Sequence, residues 1–425
     1  MKKLITIILA LVLVTGIAVS LAACSGTKEA NEIEMPAYDS TYASMTVPAD
    51  FKIGLICLHD ESSTYDLNFI NAAKAAVRAL GMSDDQLVIK TGIAEEGTAC
   101  YETAKDLINN SKCKVIFADS FGHESSMIKA AKEFPNVEFC HATGTDAHTE
   151  NLSNYHNAFA NIYQGRYLAG VAAGMKLNEM IKDGKITADK AVMGYVGAYP
   201  YEEVKSGYTS FYLGAKSVCP SVTMKVQFTG SWYDVTAEKS AAENLIKQGC
   251  VLISQHADSM GAPSACEKKG VPNVSYNGST ISACPKTFIV SSRINWEPYF
   301  KLIIARTVNG LAIPTDYVGT IQDGSVVLTG INGDVAAEGT LKKIIEVRAA
   351  LVKGTIKVFD LKNFTVNGQA LSHDTKANVD SDPNFEAETN VISYDGINNI
   401  WYFAESAMRS APYFGIDIDG ITLLN

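Results

Sequence analysis

The sequence lacks the runs of lysine and arginine that attract nucleic acids and anionic lipid surfaces. Beyond Lys2 and Lys3 there is no basic run, and 46 acidic residues against 36 basic ones give a formal net charge of −10. Because both kinds of polyanion reward clustered positive charge, this composition disfavours them as partners. We therefore expect no nucleic-acid function.

Enzyme motifs are also missing. The chain contains no phosphate-binding GxxxxGK[ST], no GxGxxG and no GxSxG, and His123-Glu124 has no second histidine at zinc-protease spacing. The 7 histidines are scattered along the chain. These absences favour binding over catalysis, and we predict no cofactor, no metal site and no enzymatic activity.

Cysteine pairs at CxxC spacing are absent, which removes the usual redox and zinc signatures. The cysteines that follow Cys24 permit disulfides, but a chain of 425 residues does not need such bridges to hold a core. Cys57, Cys140 and Cys250 lie in apolar runs, as small buried thiols do. Free thiols are favoured over bridges.

The N-terminus combines a basic start, an apolar run over residues 4–23 and Leu-Ala-Ala-Cys at residues 21–24. This pattern predicts a signal peptide over residues 1–23, with a transmembrane anchor as the alternative. Leu-Ala-Ala-Cys resembles a bacterial lipobox, which would make Cys24 the lipidated first residue of a mature protein on the extracytoplasmic face of the cell membrane. Residues 24–50 are polar and lack hydrophobic periodicity, so we expect a flexible tether.

From residue 51 onward, short β-branched runs alternate with longer helical patterns. Continuous apolar strands that are each followed by a helix predict parallel sheets covered on both faces, hence an α/β protein with doubly wound lobes. Several apparent returns of the chain between the lobes predict a multi-segment hinge. The predicted division is residues 51–180 plus 287–320 for the first lobe, 181–286 plus 321–360 for the second, and 361–425 for a C-terminal extension packed on a lobe.

Candidate ligand-binding residues follow the predicted strands, because open α/β sheets bind ligands at the carboxyl ends of their strands. Aromatic rings, carboxylates and small polar groups recur in these loops, and the combination suits a flat heterocycle with polar edges. The alternative is that loops are polar in any protein. The candidates are Tyr65, Asp66, Asp119, Ser120, Phe121, Tyr199, Trp232, Asp258 and Asn277.

Several ordered motifs resemble the basic membrane protein family of ABC-transporter substrate-binding lipoproteins, over about residues 51–359. They are YQGRYLAG at 163–170, GYVG at 194–197, PYEEV at 200–204, SWYD at 231–234, QHAD at 255–258 and Asn295-Trp296. The resemblance implies a type I periplasmic-binding-protein fold that encloses a purine nucleoside or nucleobase.

By position, the resemblance implies that Tyr65 stacks on the base and that Trp232 contacts the ligand from the other lobe. Asp119 would lie in a loop that presents polar ligand contacts, Asp258 and Asn277 would face the cleft, and Arg166 would brace the hinge or the cleft floor. The first loop, residues 60–66, departs from the family pattern, and Arg293 stands where some relatives have lysine. Nucleoside and nucleobase therefore both remain open.

The resulting hypothesis is a monomeric, lipid-anchored receptor that delivers its small-molecule ligand to an ABC permease. A ligand-sensing regulatory lipoprotein is the first alternative, and a nucleoside-processing enzyme is the second.

Overall fold

The computed structural model describes residues 31–36, 45–379 and 388–425. The predicted signal peptide and Cys24 lie outside these described residues. Within them, no helix is both long enough and apolar enough to cross a bilayer.

The described part of the chain alternates strands and helices as the sequence predicts. Its strands are β1 (Glu32–Ile33), β2 (Ile53–Ile56), β3 (Leu87–Lys90), β4 (Val115–Ala118), β5 (Glu138–Ala142), β6 (Tyr155–Ala160), β7 (Val192–Gly197), β8 (Thr223–Phe228), β9 (Leu252–His256), β10 (Asn273–Tyr276), β11 (Phe288–Ile294), β12 (Asp316–Gly319), β13 (Val326–Leu328), β14 (Ile331–Asn332), β15 (Lys376–Ala377), β16 (Thr389–Asn390), β17 (Ile392–Asp395), β18 (Ile400–Phe403) and β19 (Ile421–Leu423). Its helices are α1 (Thr64–Ala79), α2 (Ala99–Asn109), α3 (Glu124–Glu133), α4 (Ala147–Glu150), α5 (Ile162–Lys182), α6 (Glu202–Val218), α7 (Val235–Lys247), α8 (Gly261–Lys269), α9 (Glu297–Val308) and α10 (Thr340–Val352).

Two sheets form the centres of the two lobes. The first has the strand order β12-β6-β5-β4-β2-β3, and all its neighbours are parallel. The second has the order β13-β11-β10-β9-β7-β8-β19, with β13 antiparallel to β11 and the other pairs parallel. Strands such as β2 and β4 are buried throughout, as parallel strands covered on both faces must be.

Local signals explain where two helices next to the cleft begin. The Ser63 side chain accepts a hydrogen bond from the Asp66 N–H at the start of α1. Asp234 accepts from the N–H groups of Thr236 and Ala237 at the start of α7. Both are ordinary N-caps, in which a side-chain oxygen satisfies backbone donors that have no partner within the helix.

The first crossing between lobes lies earlier than the sequence suggested. We expected the first lobe to reach residue 180, but α5 packs on α6 and β11 of the second lobe, so the chain crosses at Asn161. The glycine and alanine residues of α5 allow this close packing because their side chains are small. A Cβ added to Gly170 would lie 2.0 Å from the Phe211 carbonyl oxygen, and one added to Gly214 would lie 2.0 Å from that of Tyr167.

The assignment of residues 287–320 to the first lobe is corrected in part. Strand β11 pairs in parallel with β10 in the second sheet. Only α9, which packs on α1, and β12, which pairs with β6, belong to the first lobe. The sheet that a strand joins depends on the strand with which it forms backbone hydrogen bonds. An apolar run in the sequence does not specify that partner. The remaining crossings lie between β11 and α9 and between β12 and β13, so the hinge has several segments.

Part of the predicted tether is folded against the second lobe. Strand β1 pairs antiparallel with β14, and the Gly333 N–H donates to the Asn31 carbonyl oxygen at 2.7 Å. Ser279 also donates to Glu32 at 3.1 Å. Residues 24–50 are therefore not one continuous flexible linker.

The C-terminal extension packs on the second lobe. Strand β19 pairs in parallel with β8 at the edge of the second sheet. The rings of Phe359 and Phe414 stack with centroids 4.3 Å apart, and Phe414 is fully buried. Within the extension, Asn367-Gly368 forms a tight turn, with positive φ values of 51° at Asn367 and 76° at Gly368.

All the cysteines that follow Cys24 lie among the described residues. Each of the cysteines after Cys24 is free and buried. This agrees with the preference for free thiols over bridges.

Candidate functional site

A cavity lies between the lobes at the carboxyl ends of their strands. The first lobe contributes loops that follow β2, β4 and β5, and the second contributes loops that follow β8, β9 and β10 together with the first turn of α6. The space not filled by atoms is about 370 Å³, part of which is open to solvent. Its lining residues are Leu58, His59, Tyr65, Ser120, Phe121, Thr143, Glu203, Trp232, His256, Asp258 and Asn277.

The structure brings most of the predicted candidates to this cavity. Those that line it are Tyr65, Ser120, Phe121, Trp232, Asp258 and Asn277. Three candidates do not line it. Asp66 and Asp119 are buried near Tyr65 and His59, and Tyr199 packs against Trp232.

Aromatic rings from both lobes face the cavity. The Tyr65 hydroxyl donates to the Asp119 carbonyl oxygen at 2.7 Å, which fixes the ring at the start of α1. Trp232 meets Tyr199 edge-on at 5.2 Å between centroids, and Tyr199 stacks on Tyr201 at 5.0 Å. Phe121 of the first lobe reaches Tyr201 of the second at 5.7 Å. The rings of the two lobes therefore meet across the cleft in a closed arrangement.

Asp66 and Asp119 form a buried acidic pair. Burial and the nearby Asp66 charge raise the pKa of Asp119 well above its ordinary value. Burial would also raise the pKa of Asp66, but interactions with His59 and Ser63 outweigh it and lower that pKa. The pKa values of these two adjacent carboxyls are therefore shifted in opposite directions, upward for Asp119 and downward for Asp66.

The same pair contains the one group of possible metal ligands found among the described residues. The Cys57 sulfur and oxygens of Asp66 and Asp119 lie within 4.8 Å of one another. Burial, followed by the Asp119 charge, raises the pKa of the Cys57 thiol, and a cysteine binds metal only as the thiolate. The three groups therefore form a compact, buried polar cluster at the carboxyl ends of β2 and β4.

Polar groups of the second lobe form the opposite wall. Asn277, which has a φ of +65°, donates to Asp258 at 3.2 Å. Burial, followed by the Asp66 charge, raises the pKa of Asp258 well above its ordinary value. The Asp258 carbonyl oxygen also accepts from the Thr64 N–H of the first lobe at 3.0 Å. Asp258 thus contacts both the cavity and the opposite lobe.

Sequence reasoning missed several lining residues. His256 ends β9 and lies 3.4 Å from Glu203, and burial lowers its pKa despite this neighbour. His59 follows β2 and lines the cavity from the first lobe. Glu203 lies in the first turn of α6, and this position at the start of a helix was the only signal for it. Thr143, with a φ of +65°, had only its position after β5 to identify it.

No lysine or arginine is among the lining residues of the described chain. Arg293 instead donates to Asn68 at 3.2 Å across the lobes. Arg166 lies within the second lobe, where it donates to Tyr195, Ser254, Ser275 and Ser292 at 2.9 to 3.3 Å. A cavity with two carboxyl groups and no cation suits a neutral or cationic ligand better than a phosphorylated one.

A second, outer chamber adjoins the cavity. It measures about 990 Å³ including open space, and it shares Phe121, Thr143 and Glu203 with the inner cavity. Arg409, Ala411 and Pro412 of the C-terminal extension form part of its wall. The extension therefore contributes directly to the mouth of the cleft.

Comparisons with known proteins identify relatives of the chain. Residues 53–362 match the family described as ABC transporter substrate-binding protein PnrA-like. A purine-binding protein of Brucella abortus is 36% identical over 229 residues, which cover 54% of this chain and 60% of that protein. A putative ABC transporter glucose-binding protein of Haloferax volcanii is 33% identical over 186 residues, 44% of each chain. The matches thus span less than two thirds of these relatives.

Solved structures support the predicted architecture. An ABC transporter solute-binding protein from Conexibacter woesei superimposes with a TM-score of 0.59 and 18% identity, covering 72% of this chain and 98% of that one. Identity this low is informative about the fold alone. The type I periplasmic-binding-protein fold, with two parallel-sheet lobes and a multi-segment hinge, is confirmed.

Proposed function

Since the chain belongs to the family of PnrA-like substrate-binding proteins of ABC transporters, we propose that it is a receptor for a purine nucleoside or nucleobase. The ligand enters an open cleft, both lobes contact it, and closure about the hinge presents a surface to a membrane permease. No catalytic step is required.

The observation that carries the proposal is the composition of the cavity wall. Tyr65 and Trp232 come from opposite lobes, and Asp258, Asn277 and Glu203 supply polar groups beside them. Aromatic faces suit a planar base, since stacking of a base on a ring is worth about 1 to 3 kcal/mol in nucleic-acid binders. Carboxyl and amide groups suit the base edge or sugar hydroxyls, and an incorrect ligand would leave these buried groups unpaired.

The names of the relatives support two ligand classes. The Brucella abortus relative is named a purine-binding protein, and the Haloferax volcanii relative a putative glucose-binding protein. A sugar is therefore the second candidate. The rings of Tyr65 and Trp232 favour the purine, because a planar base can use both faces.

The cellular setting is part of the proposal. Lipidation at Cys24 would attach the receptor to the extracytoplasmic face of the membrane, where it would serve an ABC permease as a monomer. Because Asn31 already contacts the second lobe, only the short segment between Cys24 and Asn31 would separate the folded protein from the lipid. At about 3.3 to 3.6 Å per residue, that segment would reach at most about 25 Å.

The test is titration calorimetry and thermal melting against adenosine, guanosine, inosine, adenine, guanine, uridine, glucose and AMP. We expect purine nucleosides or bases to bind and to stabilise the protein, and AMP to bind far more weakly. A ligand at about 100 times its Kd stabilises the native state by about 2.7 kcal/mol. Binding of glucose alone would favour the sugar, and release of free base from a nucleoside would refute the receptor in favour of an enzyme.

A further inference from the structure

The C-terminal extension is held to the second lobe by several polar contacts near the cleft. Arg409 donates to Glu202, in the first turn of α6, at 2.8 Å, and Arg409 is only 6% exposed. Lys205 donates to Asp417 at 2.8 Å. With β19 added to the second sheet, these contacts fix the extension to one lobe.

One short segment of the extension also reaches the other lobe. The backbone N–H and the hydroxyl of Ser410 both donate to Asp316 Oδ1, at 2.8 and 2.7 Å. Ser410 is fully buried, and Asp316 begins β12, the edge strand of the first sheet. The other oxygen of Asp316 lies 3.4 Å from the His148 ring. The contact is therefore a partly buried, charge-assisted link between the lobes.

The link lies at a distance from the hinge. Asp316 pairs with Asn157, while the crossing segments follow Ala160 and Gly319, three residues further along the two strands. At about 3.3 Å per residue, the link is about 10 Å from the crossing points. Rotation of the lobes about those segments would separate Ser410 from Asp316, so both hydrogen bonds are specific to the closed arrangement.

We propose that residues 405–412 form a clasp, anchored on the second lobe and bonded to the first through Ser410 and Asp316, that holds the cleft closed and slows ligand release. The same clasp walls the outer chamber through Arg409, Ala411 and Pro412. The clasp therefore borders the chamber that adjoins the ligand cavity. The effect on release rests on the proposed function, whereas the effect on lobe separation does not.

The test compares the full chain with Ser410→Ala and Asp316→Ala. A control is Ser217→Ala, because the Ser217 hydroxyl donates to the Gly214 carbonyl oxygen within α6. Guanosine release is followed by stopped-flow tryptophan fluorescence. Lobe separation is followed by small-angle X-ray scattering without ligand.

We expect release about tenfold faster for Ser410→Ala, the equivalent of one hydrogen bond to a charged group, and faster still for Asp316→Ala. Both variants should scatter as more open particles, and Ser217→Ala should match the unaltered protein. Asp316→Asn keeps an acceptor oxygen and serves as the milder variant if Asp316→Ala does not fold.

Release rates within twofold of the unaltered protein, or unchanged scattering, would overturn the clasp. If guanosine does not bind but the variants scatter as more open particles, the clasp stands and the proposed ligand fails.

Discussion

Replacing Trp232 with alanine should separate ligand binding from folding. Trp232 is half-buried, and its neighbours are Tyr199, Tyr201 and His256 at the cleft. Trp296 offers a matched control, because it is 1% exposed and stacks on Phe69 at 4.4 Å in the core of the first lobe. The same substitution therefore tests a cavity ring against a core ring.

The two substitutions should affect different quantities. Trp232→Ala should weaken ligand binding, whereas Trp296→Ala should lower the free energy of unfolding. Loss of a stacking ring costs about 1 to 3 kcal/mol of binding, or roughly 5- to 150-fold in Kd. With a 30-fold loss as an example, about 2.7 kcal/mol of stabilisation by ligand would fall to about 0.9 kcal/mol at the same concentration. Trp296→Ala should instead lower the free energy of unfolding by about 3 to 5 kcal/mol, as deletion of a core aromatic does.

Titration calorimetry with guanosine and chemical denaturation without ligand measure the two quantities. If Trp232→Ala binds guanosine as tightly as the unaltered protein, the ring does not contact the base. If it loses as much stability as Trp296→Ala, Trp232 is a core residue and the site assignment is wrong.

Other predictions concern the framework around the site. Gly214→Ala should destabilise the protein by about 1 to 3 kcal/mol in denaturant titrations, because the new Cβ would lie 2.0 Å from the Tyr167 carbonyl oxygen. Gly278→Ala is the control. The atom nearest to its new Cβ would be 3.6 Å away, so stability should change by less than about 0.5 kcal/mol. Burial raises the pKa of Glu405 from 4.5 to about 7. The free energy of unfolding should therefore fall by on the order of 3 kcal/mol as the pH rises from about 4.5 to about 7. Chemical denaturation between about pH 4 and 8 measures this, and Glu405→Gln should lose the pH dependence. If the variant keeps the same dependence on pH, Glu405 is not its cause. The buried thiols of the described cysteines should react with Ellman's reagent only after unfolding, and a melting temperature that falls on reduction would reveal a disulfide instead.

Local features of the fold could be predicted because they depend on neighbouring residues. Buried apolar runs such as Ile53–Ile56 and Val115–Ala118 specify strands of a covered parallel sheet. Asn367-Gly368 specifies a tight turn, because these residues adopt positive φ at low cost. The rule that ligands bind beyond the carboxyl ends of strands was enough to select Trp232 as a cleft residue.

Features that depend on distant partners could not be predicted in this way. The apolar run of Phe288–Ile294 fits either sheet, and only its pairing with β10 places it in the second lobe. The Gly/Ala-rich face of α5 gives no sign of which lobe it will pack on. Glu203 has an ordinary helical position until the lobes close beside it.

The sequence by itself therefore determined the class of fold, the edge of the sheets at which the cleft forms, and the chemical character of the loops there. Only the tertiary structure decided which lobe each segment joins, that Asp66 and Asp119 share a buried site, and that Ser410 meets Asp316 across the cleft. The physical reason is the separation along the chain over which each kind of interaction acts. Backbone preference and hydrophobic periodicity act over a few residues, whereas sheet pairing, the clustering of buried carboxyl groups and contacts between lobes join residues tens to hundreds of positions apart.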